Sequence, residues 1–353
     1  MNFIHYVGFD VHKKTISFCV KAPAGEIVEQ GVLPSRREAI ERWCHQQEVP
    51  WQGALEATLF SGWIYDVLQP HAAKLEMADP RKLKAITAAK TKTDRIDART
   101  LADLLRCHLL PSCYVAPPEI RELRRLLRYR NLVVSEAVRM KNRTAGLLME
   151  VGVTYNKQKL HGQRYFHDLI DGLEEVPASV IELLRYSRAA LEMFTSTQRR
   201  LVQRLRRNRA LRDRVALLET IAGVGEITAL TWALEVGSPE RFPSARQAVS
   251  YCGLTAAFRV SADKRQRGPI SKQRNAHLQS VLIEAAKLAP RWNPVLEQVR
   301  ERERQRGHRN RATLAVARKL VAYLLAVDRS RQPFRMPHSD IPETEAAPTT
   351  VTT

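Results

Sequence analysis

Four acidic residues in the first part of the chain have the types and spacing of a site for a divalent cation. Asp10 ends the apolar run YVGFD, and Glu56 lies near the end of another, GALEAT. Asp94 and Asp97 are three residues apart in KTKTDRIDARTLADLL, so on a helix they share one face. Converging carboxylates suit Mg²⁺ or Mn²⁺, and two such ions can activate a nucleophile and stabilise the leaving oxygen at a phosphodiester.

Each of these patterns also has a purely structural interpretation. A single carboxylate at a strand end is usually explained by a salt bridge or a helix-cap contact, because burial without a cation is costly. An Asp-x-x-Asp pair among lysines and arginines, taken alone, is typical of a solvated, salt-bridged helix face. The combination of all four acids with a run of short strands favours the metal site.

The sequence around these acids predicts an α/β domain over residues 1–115. Residues 4–33 contain three short runs typical of strands, separated by the turn-prone HKK and PAGE. A helix from about 35 to 47, the strand WQGALEAT, a helix from about 61, the strand AKLEMADP and a further helical segment follow. Hairpins followed by strand-helix-strand units predict a mixed sheet that carries Asp10 and Glu56 on strands and Asp94 and Asp97 on a helix.

The rest of the chain is predicted to be mainly helical. Residues 116–214 predict two long, coiled-coil-like helices, running over EIRELRR to GLL and SVIELLR to RDRV, that pair with each other or with a partner chain. A further domain, 215–330, begins with two helical segments around a tight Gly-Val-Gly turn and contains the Gly-, Ser- and Lys-rich loop TAAFRVSADKRQRGPISKQRN. Residues 331–353 are rich in Pro, Thr and Glu, and we expect a disordered tail there.

Composition points to a nucleic-acid partner. The 353 residues include 57 Lys and Arg against 37 Asp and Glu, a formal net charge of +20, and the 44% hydrophobic content is that of a globular protein. The five scattered cysteines have no metal-binding or disulfide spacing, which indicates a reduced compartment. No leader peptide or bilayer-spanning apolar run is recognisable, so we expect a cytoplasmic protein, nucleoid-associated when bound and without a membrane partner.

Two groups of residues are predicted to contact phosphates. Gly223 and Gly225 in AGVGEITA resemble a helix-hairpin-helix turn, whose backbone N–H groups hold phosphate, although a plain tight connection fits equally well. The middle helices carry more arginine than solubility needs, with few aromatic residues between, which favours contact with duplex backbones or folded RNA over base stacking. The residues assigned to this contact are Arg124, Arg128, Lys141 and Arg143.

The N-terminal pattern resembles the ribonuclease-H-like (RuvC-like) fold of Holliday-junction resolvases and many transposases. Three phrases, YVGFDVHKKTI, LEATLFSGW and KTKTDRIDARTLADLL, are similar to the IS110 type of insertion-sequence transposase, which is related to pilin-gene invertases. The resemblance makes Asp10, Glu56, Asp94 and Asp97 the DEDD set of that group. It continues through TIAGVGEITALTWALEVG and beyond, and covers nearly the whole chain up to about residue 328.

The resemblance also implies a serine nucleophile in the C-terminal half. In the family this serine, seven residues beyond the leucine of a Gly-Leu pair, becomes covalently attached to DNA, and the matching residue here is Ser261. The cations that would hold the phosphate are Lys264, Arg265, Arg267, Lys272 and Arg274.

The residues around Ser261 leave alternatives open. Without the family, it is one loop serine among several, and the rival candidates are Ser244, Ser250 and Ser271. Many relatives have Pro, Glu and Gly at three positions where this chain has Ala256, Val260 and Ala262. These departures leave open whether this copy is active.

The resemblance implies a metal-dependent transposase that cuts and exchanges DNA strands through a 5′-phosphoserine link. Its partners would be donor DNA, target DNA and a structured bridge RNA. Its assembly would be a tetramer, a dimer of dimers in which the acidic centre of one subunit meets the serine of another. Two alternatives are a RuvC-like nuclease or junction resolvase that uses metal-activated water, and a non-catalytic nucleic-acid-binding protein with structural carboxylates.

Overall fold

The structure is a computed structural model that describes residues 4–86, 94–261 and 264–336, and the side chains of residues 94–96 and 257–267 fall outside that description. The chain divides into two compact units, Met1–Pro118 and Glu119–Thr353. The predicted boundary between 214 and 215 lies inside the second unit and stays a prediction.

A six-stranded mixed sheet forms the centre of the first unit. Its strands are β1 (His5–Val11), β2 (Thr15–Lys21), β3 (Ile27–Pro34), β4 (Trp51–Glu56), β5 (Lys74–Ala78) and β6 (Ser112–Cys113). Their order across the sheet is β3-β2-β1-β4-β5-β6. Strand β2 is antiparallel to both of its neighbours, β1 and β3. Strands β1, β4 and β5 are parallel to one another, and β6 is antiparallel to β5. The predicted strands and the mixed sheet are confirmed.

Helices cover both faces of this sheet. They are α1 (Arg37–His45), α2 (Ser61–Leu68), α3 (Pro80–Ile86) and α4 (Asp94–Arg106), with a short 3₁₀ turn at Gln69–His71. On one face, Phe9 of β1 packs with Trp43 of α1 and Ile64 of α2. On the other face, the small side chain of Ala54 in β4 packs with Leu101 of α4. Since side chains alternate along a strand, neighbouring residues of β1 face different helices.

The second unit is mainly helical, as predicted. Its helices are α5 (Pro118–Glu150), α6 (Gln163–Asp171), α7 (Ala178–Arg206), α8 (Arg209–Glu219), α9 (Glu226–Val236), α10 (Ala245–Tyr251), α11 (Ala276–Leu288), α12 (Pro294–Gln305) and α13 (Arg309–Ser330), with short 3₁₀ turns at Pro239–Arg241 and Ala289–Arg291. No helix in the described ranges is long and apolar enough to cross a membrane.

The two long helices α5 and α7 run antiparallel. Leu148 of α5 and Leu184 of α7 share a buried cluster with Phe166 of α6. Toward the other end of the pair, the guanidinium of Arg204 in α7 lies 3.5 Å from the carboxylate of Glu122 in α5. The prediction of two long helices is confirmed, and they pair with each other within the chain.

The second long helix is shorter than predicted. The apolar spacing extended it to residue 215, but α7 ends at Arg206 and α8 starts at Arg209. The backbone of Asn208 between them is extended, with φ −73° and ψ 116°. Asparagine is favoured at the start of a helix, but the side chain of Asn208 makes no capping hydrogen bond here, and the periodicity alone did not reveal this break.

Helix α9 lies at the centre of the C-terminal core. Every residue from Thr228 to Val236 is buried, including Trp232, as expected for a helix that is apolar on all sides. Leu282 of α11 and Leu320 of α13 belong to the same buried cluster. This core holds the elements that carry the predicted serine segment.

Most of the segment predicted as a Gly-, Ser- and Lys-rich loop is a β-hairpin, so that prediction was wrong for residues 256–270. Its strands are β7 (Ala256–Ser261) and β8 (Lys264–Ile270), paired antiparallel with Ser261 opposite Lys264. Phe258 and Val260 alternate with other residues in the manner of a strand. The charged run KRQR in β8 obscured this pattern in the sequence.

The chain packs beyond α13. The ring of Phe334 packs at an angle against Tyr323 with centroids 4.7 Å apart, and its backbone N–H donates to Oγ1 of Thr220 at 2.8 Å. Part of the segment assigned to the tail from residue 331 is therefore held on the core. The remainder of the predicted tail, 337–353, lies outside the described residues.

Candidate active site

The sheet register places two of the predicted acids side by side. The parallel strands β1 and β4 pair Gly8 with Ala54 and Phe9 with Leu55, and the next residues along them are Asp10 and Glu56. Because Phe9 and Leu55 face the core with α1 and α2, Asp10 and Glu56 are directed to the face that α4 covers. The two carboxylates therefore lie at the carboxyl ends of neighbouring parallel strands.

Helix α4 lies in direct backbone contact with β1. A Cβ added to Gly8 would lie 2.0 Å from the carbonyl oxygen of Ala98 and 2.6 Å from the backbone nitrogen of Ala102. Both alanines are completely buried. Only glycine on the strand and small residues on the helix permit this approach, and it brings the turn that carries Asp97 onto the strand that carries Asp10.

These elements enclose one cavity that three of the four predicted acids share. Its volume is about 280 Å³, and its lining includes Asp10, Glu56 and Asp97. The remaining lining residues are Pro80, Arg81, Leu83, Lys84, Thr100 and Leu101. Asp94 is the first residue of α4, one turn before Asp97, but its side chain lies outside the described part of the structure.

Other charged residues of α4 fix the helix to the sheet. The ammonium of Lys21 in β2, buried against α4, donates to Asp103 at 2.5 Å. Arg99 donates through Nε and Nη2 to Oε1 of Gln30 at 3.0 and 2.6 Å. The salt-bridged helix face expected as an alternative for Asp94 and Asp97 is represented, in the described part of α4, by Asp103, which pairs with Lys21 and lies 3.6 Å from Arg106.

Two acids on this face of the sheet have partners close by. The side chain of Asp10 is 14% exposed, and its Oδ2 lies 3.0 Å from Nε2 of His12. A further acid on the same face, Glu76 of β5, has partners of its own. Burial would raise the pKa of Glu76, but hydrogen bonds from Lys74 and Ser112 hold it below its usual value.

Two basic residues at the cavity escaped the sequence analysis. Arg81 and Lys84 belong to α3, which follows β5 directly. The backbone N–H of Arg81 donates to Oδ1 of Asp79 at 2.9 Å, which starts the helix at this place. The signal was the phrase ADPRKLK after a strand parallel to the one that bears Glu56. These cations could hold a phosphate beside the acids.

The donor set suits a hard cation, since Mg²⁺ and Mn²⁺ prefer carboxylate oxygens. Among the side chains that the structure describes, which do not include Asp94, no group of three or more His, Cys, Asp or Glu is placed to hold one ion. Asp10, Glu56 and Asp97 share a cavity without forming such a group. The four-carboxylate cage therefore stays a prediction.

Ser261 is the last residue of β7, at the turn end of the hairpin. Its backbone pairs with Lys264, and Val260 pairs with Arg265. The side chains of Ser261 and of the predicted phosphate contacts Lys264, Arg265 and Arg267 lie outside the description, as does Ala262. Beyond β8, the side chains of Lys272 and Arg274 are exposed.

Two of the rival serines have local structural roles. Ser244 precedes α10, and its hydroxyl accepts from the backbone N–H of Gln247 at 3.4 Å. The hydroxyl of Ser271 accepts from the N–H of Gln273 at 3.1 Å, as in a turn. These contacts explain Ser244 and Ser271 without chemistry, whereas Ser250 is exposed on α10.

The two glycines of AGVGEITA have different surroundings. Gly223 has φ +90°, and an added Cβ would lie 2.3 Å from Cβ of Ala289. Gly225 precedes α9 with φ −89°, is exposed, and has no neighbour within 4 Å of an added Cβ. Packing thus accounts for Gly223, while phosphate contact at either residue stays a prediction.

The predicted phosphate contacts on α5 also divide into two kinds. Arg124 donates to the backbone oxygen of Leu234 at 3.0 and 2.8 Å, and Arg128 makes two 2.8 Å hydrogen bonds to the buried carboxylate of Glu235. These contacts give both arginines structural roles, and phosphate contact at either residue stays a prediction. Lys141 and Arg143, nearer the other end of α5, are exposed.

Two protein-family models match this chain, one in each of its two parts. Residues 7–153 match the family model DEDD_Tnp_IS110, described as transposase, and residues 215–301 match the model described as transposase IS116/IS110/IS902 family.

Individual relatives are distant. The protein y4qE of Sinorhizobium fredii, named as a transposase, is 25% identical over 80% of this chain and 70% of its own length. A second protein of that organism named as a transposase, y4rJ, is 26% identical over 68% of this chain and 65% of its own. The transposase for insertion sequence element IS1111A of Coxiella burnetii is 24% identical over 60% of this chain and 58% of its own. The chain thus spans less than two thirds of the last two relatives. With a matching model for each half, it belongs to the IS110 family of transposases.

Proposed function

We propose that this transposase cleaves and exchanges DNA strands at the acidic cavity of the first unit, with Ser261 as the nucleophile. The observation that carries the proposal is the convergence of Asp10, Glu56 and Asp97 on one cavity, from two strand ends and a helix far apart in sequence. The strand order β3-β2-β1-β4-β5, with only β2 antiparallel to its neighbours, supports a ribonuclease-H-like domain.

Mg²⁺ or Mn²⁺ would be held by the carboxylates of Asp10, Glu56, Asp94 and Asp97. Such ions supply charge neutralisation at the scissile phosphate and lower the pKa of a bound hydroxyl. Arg81 and Lys84, at the same cavity, would contact the phosphate oxygens. The pairing of the buried Lys21 with Asp103 would keep α4 in place while the DNA is bound.

The hydroxyl oxygen of Ser261 would attack the scissile phosphorus. A new bond forms between phosphorus and the serine oxygen, and the bond from phosphorus to the 3′ oxygen breaks. The serine proton is lost to a carboxylate or to water, and the leaving 3′ oxygen gains a proton. The product is a 5′-phosphoserine link and a free 3′-hydroxyl end. Reversal of this reaction on a second DNA exchanges the strands.

Nucleic-acid partners follow from charge and exposure. The net charge of +20 and the exposed Lys141 and Arg143 support binding to donor DNA, target DNA and a structured bridge RNA. If the RNA selects the DNA by base pairing, the protein needs contacts to phosphate and shape more than to base edges.

The long helices support self-association. On α7, Leu183, Tyr186 and Met193 are 43%, 62% and 55% exposed. Their spacing is that of a coiled-coil seam, with Ala190 in the intervening position. This unpartnered apolar stripe fits a homo-oligomer, and the tetramer is the assembly we propose.

A water-using nuclease or junction resolvase is the second candidate. The departures at Ala256, Val260 and Ala262 favour it, because they alter the serine segment and leave the acidic cavity intact. It would produce hydrolysed ends and no protein–DNA link.

The test of the acidic cavity is cleavage of element-end DNA, with the flanking RNA of the element and Mg²⁺, by Asp97→Asn and Asp103→Asn. Both residues lie on α4, but Asp103 faces Lys21 and Asp97 faces the cavity. We expect Asp97→Asn to lose about a hundredfold or more in cleavage rate while DNA binding persists, and Asp103→Asn to cleave within a few-fold of wild type. Equal cleavage by wild type and Asp97→Asn would refute the proposed site.

A further inference from the structure

A buried carboxylate in the second unit has three partners on two other segments. Glu235, next to the end of α9, has a side chain with no exposure. Its Oε1 accepts from Nε of Arg128, and its Oε2 accepts from Nη2 of Arg128 and Nδ2 of Asn275, each at 2.8 Å. Nε of Arg124 lies 3.7 Å from Oε2. A charge buried this way is tolerable only when it is fully paired.

The protonation of this group follows from its partners. Burial alone would raise the pKa of Glu235, but the hydrogen bonds from Arg128 and Asn275 and the two nearby guanidinium charges hold it below its usual value. The hydrogen bond to Glu235 in turn raises the pKa of Arg128. Glu235 is therefore a carboxylate, and Arg128 a cation, at neutral pH.

Asn275 connects this carboxylate to the segment that follows β8. Its Oδ1 accepts from the backbone N–H groups of His277 and Leu278, each at 3.1 Å, and so caps α11. Its own backbone N–H donates to the carbonyl of Tyr251 at 3.0 Å. One residue thus joins the start of α11, the end of α10 and Glu235.

The segments before β7 and after β8 are hydrogen-bonded to the elements around Glu235. The hydroxyl of Tyr251 donates to the backbone oxygen of Glu235 at 3.0 Å, four residues before Thr255. The N–H of Ser271 donates to the carbonyl of Thr255 at 3.0 Å and closes the root of β7 and β8. Nε2 of Gln279 donates to the carbonyl of Gly253 at 2.7 Å. The chain that enters the hairpin and the chain that leaves it are fastened to the elements around Glu235.

Gly253 makes the root compact. Its φ is +69°, and an added Cβ would lie 2.3 Å from Cβ of Arg274. The entering and leaving segments therefore touch without an intervening side chain. Movement of Asn275 would be transmitted directly to the base of the hairpin.

We propose that Glu235 is a positioning residue that sets the β7–β8 hairpin, and with it Ser261, relative to the long helix α5. Arg124 and Arg128 carry the connection on the side of α5, and Asn275 and Tyr251 carry it on the side of the hairpin. Any nucleic acid or subunit held along α5 is then held at a defined distance from the serine. The inference rests on the proposed function only in taking Ser261 as the nucleophile.

The alternative is that Glu235 only stabilises the core, and the chain offers a matched control. Asp328 of α13 has a side chain that is 3% exposed. It accepts from Nε and Nη2 of Arg214 at 2.7 and 2.6 Å and from Nε1 of Trp232 at 2.8 Å. These partners lie on α8 and α9, and the three hydrogen bonds involve no residue of α10, of the hairpin or of α11. Glu235→Gln and Asp328→Asn each remove one buried charge from the same core.

The first readout is hydrogen exchange of the full chain without DNA, compared at a temperature where both variants keep native circular dichroism. We expect the amides of β7 and β8 to exchange about tenfold faster in Glu235→Gln than in Asp328→Asn. Equal hairpin exchange in the two variants overturns the inference. If Glu235→Gln does not fold, Arg128→Lys replaces it, because it keeps the charge and loses the two-point contact.

The second readout is the yield of DNA-linked protein in Mg²⁺. Misplacement of the serine should lower the rate of link formation by about tenfold or more in Glu235→Gln, with less than about a threefold change in Asp328→Asn. Equal losses in both variants count against positioning. If the wild type forms no link while hairpin exchange differs as expected, the proposed nucleophile is wrong and the positioning role stands.

Discussion

Gly8 on β1 and Ala98 on α4 are in backbone contact, so close that a Cβ on residue 8 would lie 2.0 Å from the carbonyl oxygen of Ala98. Asp10 is two residues beyond Gly8, and Asp97 directly precedes Ala98. The contact therefore fixes how near the acid of the helix comes to the acid of the strand. The glycine of YVGFD belongs to the site although it has no side chain.

Replacement of Gly8 by alanine should displace α4 from the sheet. The added methyl group meets backbone atoms, which cannot rotate away, and overpacking of this kind costs about 3 kcal/mol. Gly146→Ala is the control, since an added Cβ at this position in α5 meets nothing within 4 Å and should stabilise the helix by about 0.5 to 1 kcal/mol. Urea unfolding measures both. Equal stability of the two variants would contradict the packing described for α4.

The two glycines of AGVGEITA should respond differently to alanine. Gly223→Ala combines a positive φ with a contact to Ala289, and we expect it to lower the melting temperature strongly, with a free-energy loss of about 2 kcal/mol or more. Gly225→Ala has room and a negative φ, so its loss should stay below about 1 kcal/mol. A larger loss of stability at Gly225 than at Gly223 would contradict the packing of Gly223 on Ala289.

Acid should remove the contribution of Glu235 to stability. Its folded pKa lies below the ordinary value of 4.5, so the stabilisation is fully present above that value and disappears as the pH falls through the folded pKa. The free-energy difference between wild type and Glu235→Gln should thus be large at neutral pH and narrow as the pH falls below 4.5 and through the folded pKa. Unfolding in urea across a pH series measures it, and a difference independent of pH would argue that the carboxylate charge contributes nothing.

The exposed cations of α5 should determine the salt dependence of nucleic-acid binding. If Lys141 and Arg143 each neutralise one duplex phosphate, replacing both by alanine lowers the slope of log affinity against log salt by roughly 1.8. Arg124→Ala, which removes a contact to Leu234, should leave that slope unchanged and lower stability. Fluorescence anisotropy with duplex DNA at several salt concentrations tests this. A reduced slope for Arg124→Ala alone would reverse the assignment.

Much of the first unit could be predicted because its signals are local. Alternating apolar residues and turn-prone phrases predicted five of the strands, and the positions of Asp10 and Glu56 at strand ends followed from them. The short strand β6, at Ser112–Cys113, has only two residues and no such signal. The packing of Gly8 on Ala98 depends on two segments meeting in space, and no spacing within either segment reveals it.

In the second unit, the sequence does not reveal the contacts of its charged residues. Arg124 and Arg128 have protein partners, the carbonyl of Leu234 and the buried Glu235, that lie more than a hundred residues away in the sequence. Glu235 itself follows an apolar run and carries no motif. The run of charged residues in β8 likewise favoured the prediction of a loop where the structure has a strand.

Trapping the protein on DNA shows whether Ser261 is the nucleophile. Labelled element-end DNA is incubated with the full chain, Mg²⁺ and the flanking RNA of the element, denatured, and examined for protein-linked label by mass spectrometry of the peptides. We expect a phosphate-linked DNA fragment on Ser261 in the wild type, none in Ser261→Ala, and none in Asp97→Asn. Cleavage by Ser261→Ala at the wild-type rate, with free 5′ ends, would contradict this assignment.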